Sequence, residues 1–245
     1  MLRFPNCFKL LYLVGEFYRK KALVNDDISA KELASKYLNE ALRFLYQAEN
    51  PVIEEIKIKH DIASVSTDIV TSLNILTEIN INGVFDDDIA ALYFDKKDFD
   101  KAISYYQKFI ERNFIMSIAA LINKATIYMK INKINDAETN VNSCINLIND
   151  MSISNNYLLS ANKLYALIFK FIILYKKNNH NDLNEISRMI LDMEKNLLNK
   201  NNADGFIVGI DDSKDILSKS IDNFKINRII TSQEETEIIN FFKRS

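Results

Sequence analysis

Residues 86–113 read DDDIAALYFDKKDFDKAISYYQKFIERN, and residues 121–148 read LINKATIYMKINKINDAETNVNSCINLI. Laid one on the other, Ala90, Tyr93, Ala102 and Tyr106 fall opposite Ala125, Tyr128, Ala137 and Val141, each pair 35 positions apart. The spacing has a physical reason. A small residue on a first helix lets a second helix approach closely, and an aromatic three positions on fills the hole beside it. An alanine early in the second helix removes bulk where the two cross. Between the helices of the first unit lies a polar turn, Asp95-Lys96-Lys97-Asp98. The direct reading is two helix–turn–helix units in tandem, and a repeat of this kind has to be read before any single motif.

Working outward, the same helical periodicity continues in both directions. Leu10, Leu11, Val14, Phe17 and Tyr18 predict a helix over about Cys7–Leu23, broken by Asn25-Asp26-Asp27. Leu33, Ala34, Tyr37, Leu38, Ala41 and Leu42 predict a second, for which Ser29 and Glu32 read as a capping box. Asn50-Pro51 stops it, because the residue before proline is pushed out of the α region. A long apolar-periodic run from Ile58 to Ile79 follows, with a break expected at Ser64–Thr67. Beyond the repeat, helices are expected over about Ser154–Lys177 and Asp182–Asn199. Asn199–Asp212, holding Gly205 and Gly209, reads as a break. Two shorter helices, about Ser213–Phe224 and Gln233–Lys243, complete the chain, with Ser232 and Glu235 as a further capping box.

The Tyr93–Ile103 segment resembles the turn of a tetratricopeptide (TPR) motif, and Tyr128–Glu138 resembles it more weakly. A third copy is proposed at the N-terminus. Gly15 and Tyr18 take the small and aromatic positions, and Ala34, Leu38 and Ala41 the second-helix positions, with an enlarged turn at Lys20–Ile28 that departs from the family pattern. The resemblance is specific over residues 83–150 and suggestive to residue 200. It implies an all-α fold, a right-handed superhelical array of antiparallel helix pairs. Residues 1–200 are expected to form the repeat domain, and 201–245 a loop plus C-terminal capping helices.

The family is a binding scaffold whose first helices line a groove. The resemblance therefore implies partner-binding positions at Asp87, Ala91 and Phe94 in one repeat and Ile122, Thr126 and Met129 in the next. TPR co-chaperones that grip a carboxylate tail use Lys and Asn at such positions, so a mixed apolar groove for a helix or an extended apolar peptide is expected instead. Two narrower likenesses stand beside this one. Residues 86–148 with the following hairpin resemble the middle of SNAP adaptors, which link SNARE bundles to their disassembly ATPase. Bacterial peptide-pheromone receptors also use TPR-like domains of this size, although residues 1–60 show no helix-turn-helix.

Composition supports the helical reading and excludes several function classes. Four Gly and two Pro cannot furnish the turns of a β-sandwich or a doubly wound fold. A net charge of −2 supplies no basic field for nucleic acid. No apolar run reaches the roughly 20 residues of a membrane span, so no integral membrane segment is expected. Cys7 and Cys144 lie far apart without a CxxC spacing, which reads as a reducing, cytoplasmic setting. His60 and His180 lack metal-ligand company and read as surface residues. The Asp86-Asp87-Asp88 triplet reads as helix-start capping, and Cys144 as a small buried hydrophobe. No P-loop, GxSxG or GxGxxG occurs. No catalytic residue, metal or cofactor is expected. The expected role is a non-enzymatic protein–protein interaction scaffold with a protein or peptide partner; a peptide-sensing regulator or a SNAP-like adaptor is the alternative.

Overall fold

The computed structural model describes residues 7–46, 52–112, 117–151, 157–204 and 216–244. The Asn50-Pro51 stop, the Gly205 and Gly209 positions and the side chain of Cys7 lie outside them. Every described element is a helix: twelve α-helices and one 3₁₀ turn at Ile81–Gly83. The chain divides into two compact units, Met1–Phe109 and Ile110–Ser245.

The first unit holds α1 (Cys7–Asn25), α2 (Ile28–Leu45), α3 (Val52–Val65), α4 (Ile69–Ile79), α5 (Asp86–Asp95) and most of α6 (Phe99–Arg112). Helices α1 to α5 pack in chain order, each against the next. Gly15 is buried where α1 meets α2. A Cβ there would stand 2.8 Å from Leu38 Cγ and 3.2 Å from the Leu38 backbone nitrogen. Ala34, Leu38 and Ala41 carry no exposed surface, and with Leu45, Ile58, Ile62 and Val65 they form one core. The small and aromatic positions proposed for the N-terminal copy are thus where two helices touch: Tyr18 stacks on Tyr37 at 5.9 Å.

Helix ends follow local chemistry, in places one or two residues from the sequence reading. The cap of α2 is Asp27, whose carboxylate accepts from the Ala30 N–H at 3.1 Å; Ser29 lies inside the helix instead. The break at Ser64–Thr67 is real. Asp68 caps α4 by accepting from the N–H groups of Val70 and Thr71, and the buried Ser72 hydroxyl ties α4 to α3 by donating to the Ala63 carbonyl at 2.9 Å.

The second unit holds α7 (Ile118–Lys130), α8 (Ile134–Asp150), α9 (Tyr157–Lys176), α10 (His180–Asp204), α11 (Ile216–Ile226) and α12 (Ser232–Arg244). Here α9 is the hub. Leu164, Ala166 to Phe169 and Phe171 to Leu174 are all buried, because α8, α10 and α11 pack around it. The C-terminal pair joins the same core through rings: Phe169 meets Phe224 at 4.7 Å, and Phe171 meets Phe242 at 4.7 Å. Helix α10 runs to Asp204, past the expected end at Asn199. The capping box of α12 sits one residue early. The Glu234 carboxylate accepts from the Thr231 N–H at 2.7 Å, and the Thr231 hydroxyl accepts from the Glu234 N–H at 3.2 Å. Among the described residues, no helix is long and apolar enough to cross a membrane.

Candidate functional site

The hairpin turns repeat a single geometry. After α5, Lys97 adopts φ 62°; its N–H bonds the Phe94 carbonyl at 2.9 Å, and the Asp98 N–H bonds that of Tyr93 at 2.9 Å. After α7, Asn132 (φ 60°) and Lys133 bond Met129 and Tyr128 in the same way. Asn178 with Asn179 repeats the pattern after α9, and Arg228 with Ile229 repeats it after α11. These are Schellman closures, with a left-handed residue just past the helix satisfying two of its last carbonyls. They define four hairpins, α5–α6, α7–α8, α9–α10 and α11–α12. The last two belong to the same series although they carry no alanine signature.

The repeat positions do what their spacing requires. Ala90, Ala102, Ala125 and Ala137 expose no surface. Phe109, Cys144 and Ala41 follow Ala102, Ala137 and Ala34 by one common interval, and all three are buried. Burial pushes the Cys144 thiol up to about 12, so it is a packed thiol and not a nucleophile. Tyr93 stacks on Tyr105 at 5.6 Å, joining α5 to α6.

The six partner-binding positions fall into two rows. Asp87, Ala91 and Phe94 form one line along α5, the first and last half-buried and Ala91 exposed. Phe94 tilts against Phe99 across the turn, with ring centroids 6.0 Å apart. Burial, and then the neighbouring Asp88 carboxylate, raise the pKa of Asp87. Ile122, Thr126 and Met129 form the corresponding line on α7, all half-buried. Two of these also serve the core. Met129 packs against the Phe169–Phe171 cluster, and Ile122 touches both that cluster and the one around Leu121 and Leu147. Beside this row Lys124 is buried with its ammonium 5.8 Å from the Tyr128 ring, and desolvation pulls its pKa down.

A polar network in the first unit escaped the sequence reading. His60 is half-buried rather than on the surface, stacked on Phe85 at 4.9 Å. Its Nε2 lies 3.3 Å from Asp88 Oδ2 and its Nδ1 3.7 Å from Asp61 Oδ1. Asp61, itself buried, accepts from the Tyr12 hydroxyl at 2.8 Å and faces Arg19 Nε at 3.3 Å. Hydrogen bonding to Asp61, then to Asp88, pushes the imidazole up to about 9. Asp61 titrates below its ordinary value. Burial alone would raise it, but His60, Tyr12 and Arg19 together outweigh that cost. The acidic triplet is accordingly more than a cap. Asp86 takes the Asn80 side-chain amide at 2.8 Å, Asp88 faces His60, and the N-cap itself is Phe85. His180 is exposed. Among the described residues, no group of three or more His, Cys, Asp or Glu could hold a metal ion.

The family model described as Tetratricopeptide repeat matches residues 88–114, the α5–α6 hairpin and the residues just after it. No curated protein matches the sequence. Solved structures do. The kinesin light chain with nearly identical TPR-like repeats from Podosopora anserina aligns with TM-score 0.60 and 9% identity, over 80% of this chain and 98% of that one. BtubC (BKLC) from P. vanneervenii aligns with TM-score 0.56 and 11% identity, over 84% and 94%. A Rap protein complexed with competence and sporulation factor aligns with TM-score 0.52 and 14% identity, over 94% and 68%. Residues 88–114 match the repeat and consecutive hairpins match the architecture, so the chain has a TPR-like helical-repeat fold.

Proposed function

We propose that the chain is a non-enzymatic protein–protein interaction scaffold. A helical or extended apolar segment of a partner docks on a first-helix face, the candidates being Asp87–Ala91–Phe94 on α5 in the first unit and Ile122–Thr126–Met129 on α7 in the second, each taken by itself. The observation that carries this reading is the α5 row. It is a helix face one residue wide with an aromatic at one end and an acid at the other, left partly open while Ile89, Leu92, Tyr93 and Tyr105 pack in one cluster with side chains of α3 and α4. TPR-like repeats generally mediate protein–protein contacts, which supports the class of partner. Phe94 is the anchor, since aromatic side chains in half-buried settings concentrate binding energy. Asp87 favours a basic residue beside that anchor. The work is done in a cytoplasmic setting and calls for no cofactor.

A second reading is favoured by one comparison: the Rap protein of similar fold was crystallised with competence and sporulation factor. On that reading the ligand is a short peptide and the chain is a regulator. The SNAP-like adaptor is a narrower alternative that rests on the resemblance of residues 86–148 and the following hairpin.

Affinity capture from the native source, followed by calorimetry with peptides of graded length from the captured partner, tests the proposal. Binding that needs about 12 residues or more, the length at which a helix can hold its shape, fits the scaffold. Saturation by a much shorter peptide fits the regulator. Phe94→Ala is expected to weaken capture tenfold or more with an unchanged unfolding midpoint. Unchanged binding removes Phe94, and with it the α5 face, from the site.

A further inference from the structure

Helix α1 is apolar on two sides, and only one side is used. Gly15 and Ala22 are buried against α2, and Tyr18 stacks on Tyr37. Tyr12 and Arg19 reach Asp61 on α3. The opposite side carries Leu10, Leu13, Phe17 and Val24, exposed by 66, 60, 63 and 82%. These fall on one line at the spacing of a coiled-coil seam, with Lys20 on the same line and Lys21 within the seam beside it. Contiguous apolar patches beyond a few hundred Å² are rarely left to water, and a larger one marks an interaction site.

We propose that this seam is a homodimer interface, with α1 of one copy packed antiparallel against α1 of a second copy about a two-fold axis at Phe17. Three observations select a second copy. The first is symmetry. Leu10 and Val24 lie equally far from Phe17 along the helix, so an axis there sets Leu10 of each copy against Val24 of the other and Phe17 against Phe17. An isologous contact requires this self-complementarity. The second is charge. The two lysines within the seam are already paired inside their own chain, Lys20 with Glu16 at 3.3 Å and Lys21 with Asp27 at 3.6 Å. Their ammonium groups are drawn to the flanks, and the alkyl stem of Lys21 is left to lie over Leu13 of the other copy. The third is area. The four apolar side chains expose roughly 500 Å², and two copies together bring about 1,000 Å², the size a specific interface must clear.

The test is sedimentation of the full chain over a concentration series, with Phe17→Glu alongside. A monomer–dimer equilibrium is expected, with Phe17→Glu raising the dissociation constant at least 100-fold. The residue is exposed, so the variant's helical circular dichroism and unfolding midpoint should match the parent. The register is tested separately by oxidation in a Cys7→Ser background. Phe17→Cys should cross-link to itself, whereas Leu10→Cys should cross-link only when mixed with Val24→Cys. A chain that stays monomeric at about 100 µM, far above the dissociation constant such an interface should have, overturns the proposal. So does a dimer indifferent to Phe17→Glu, or a Leu10→Cys pair that cross-links to itself.

Discussion

Gly15 is the residue on which the N-terminal hairpin turns. Ala would improve helix propensity by about 1 kcal/mol, yet its Cβ would sit 2.8 Å from the fully buried Leu38 side chain and 3.2 Å from that residue's backbone. Overpacking of this kind costs about 1–3 kcal/mol. Gly15→Ala is therefore expected to lower stability in urea unfolding, and a neutral or stabilising result would mean that α1 and α2 are not in contact there. Ala102→Leu and Ala137→Leu follow the same logic at the two later crossings, each expected to cost about 1–3 kcal/mol. His60 gives a pH signature instead. Its folded value, about 9, stands above the ordinary 6.5. The stability it contributes is complete below pH 6.5 and is lost as pH rises through about 9. Asp61 has the opposite sign: its value is lowered from 3.8, so its contribution is present above that pH and is lost on acidification. Unfolding midpoints recorded from pH 6 to pH 10 should fall on the alkaline side in the parent and fall less in His60→Gln.

At the scale of the element, helices and their pairing were readable because apolar periodicity and alanine spacing are local properties. The break between α3 and α4, the α5–α6 and α7–α8 hairpins, and the crossing of α1 on α2 were all visible as residue types at fixed intervals. Helix ends were less so. Asp27 and Ser29, or Thr231 and Ser232, are equally competent caps, and only the direction of the incoming chain chooses between them. The His60 network was invisible for a different reason. Tyr12, His60 and Asp88 come from three helices far apart in sequence, and no spacing rule links them. In the candidate rows, Phe94 is half-buried against Phe99. Ile122 and Met129 are shared with the large core of the second unit, to which α8 and α9 also contribute. Hence Met129→Ala should cost stability, about 2 kcal/mol or more by loss of a partly buried side chain, where Phe94→Ala should not. Chemical denaturation of the two variants side by side separates a structural row from a binding one.

For the molecule as a whole, the two units differ in what holds them. The second is organised around a single buried helix, α9, with rings from α11 and α12 closing over it. The first is a sequence of neighbour contacts, each helix touching the next, with a polar network spanning α1, α3 and α5. Truncation after Asp204 should therefore expose Phe169 and Phe171. The shortened chain is expected to bind a hydrophobic dye that the full chain does not, and absence of that signal would mean the C-terminal pair is dispensable to the core. The hairpin turns have a further consequence. Among the described residues, seven backbone positions have positive φ; one is Gly83, and the other six are occupied by Asp26, Asn82, Lys97, Asn132, Asn178 and Arg228. The left-handed region costs an ordinary residue about 1 kcal/mol that glycine does not incur. Glycine at Lys97 and Arg228 should each raise the melting temperature by a few degrees without touching core or binding face. A chain so sparing of glycine carries its own unused thermal reserve, sited in the joints between its helices.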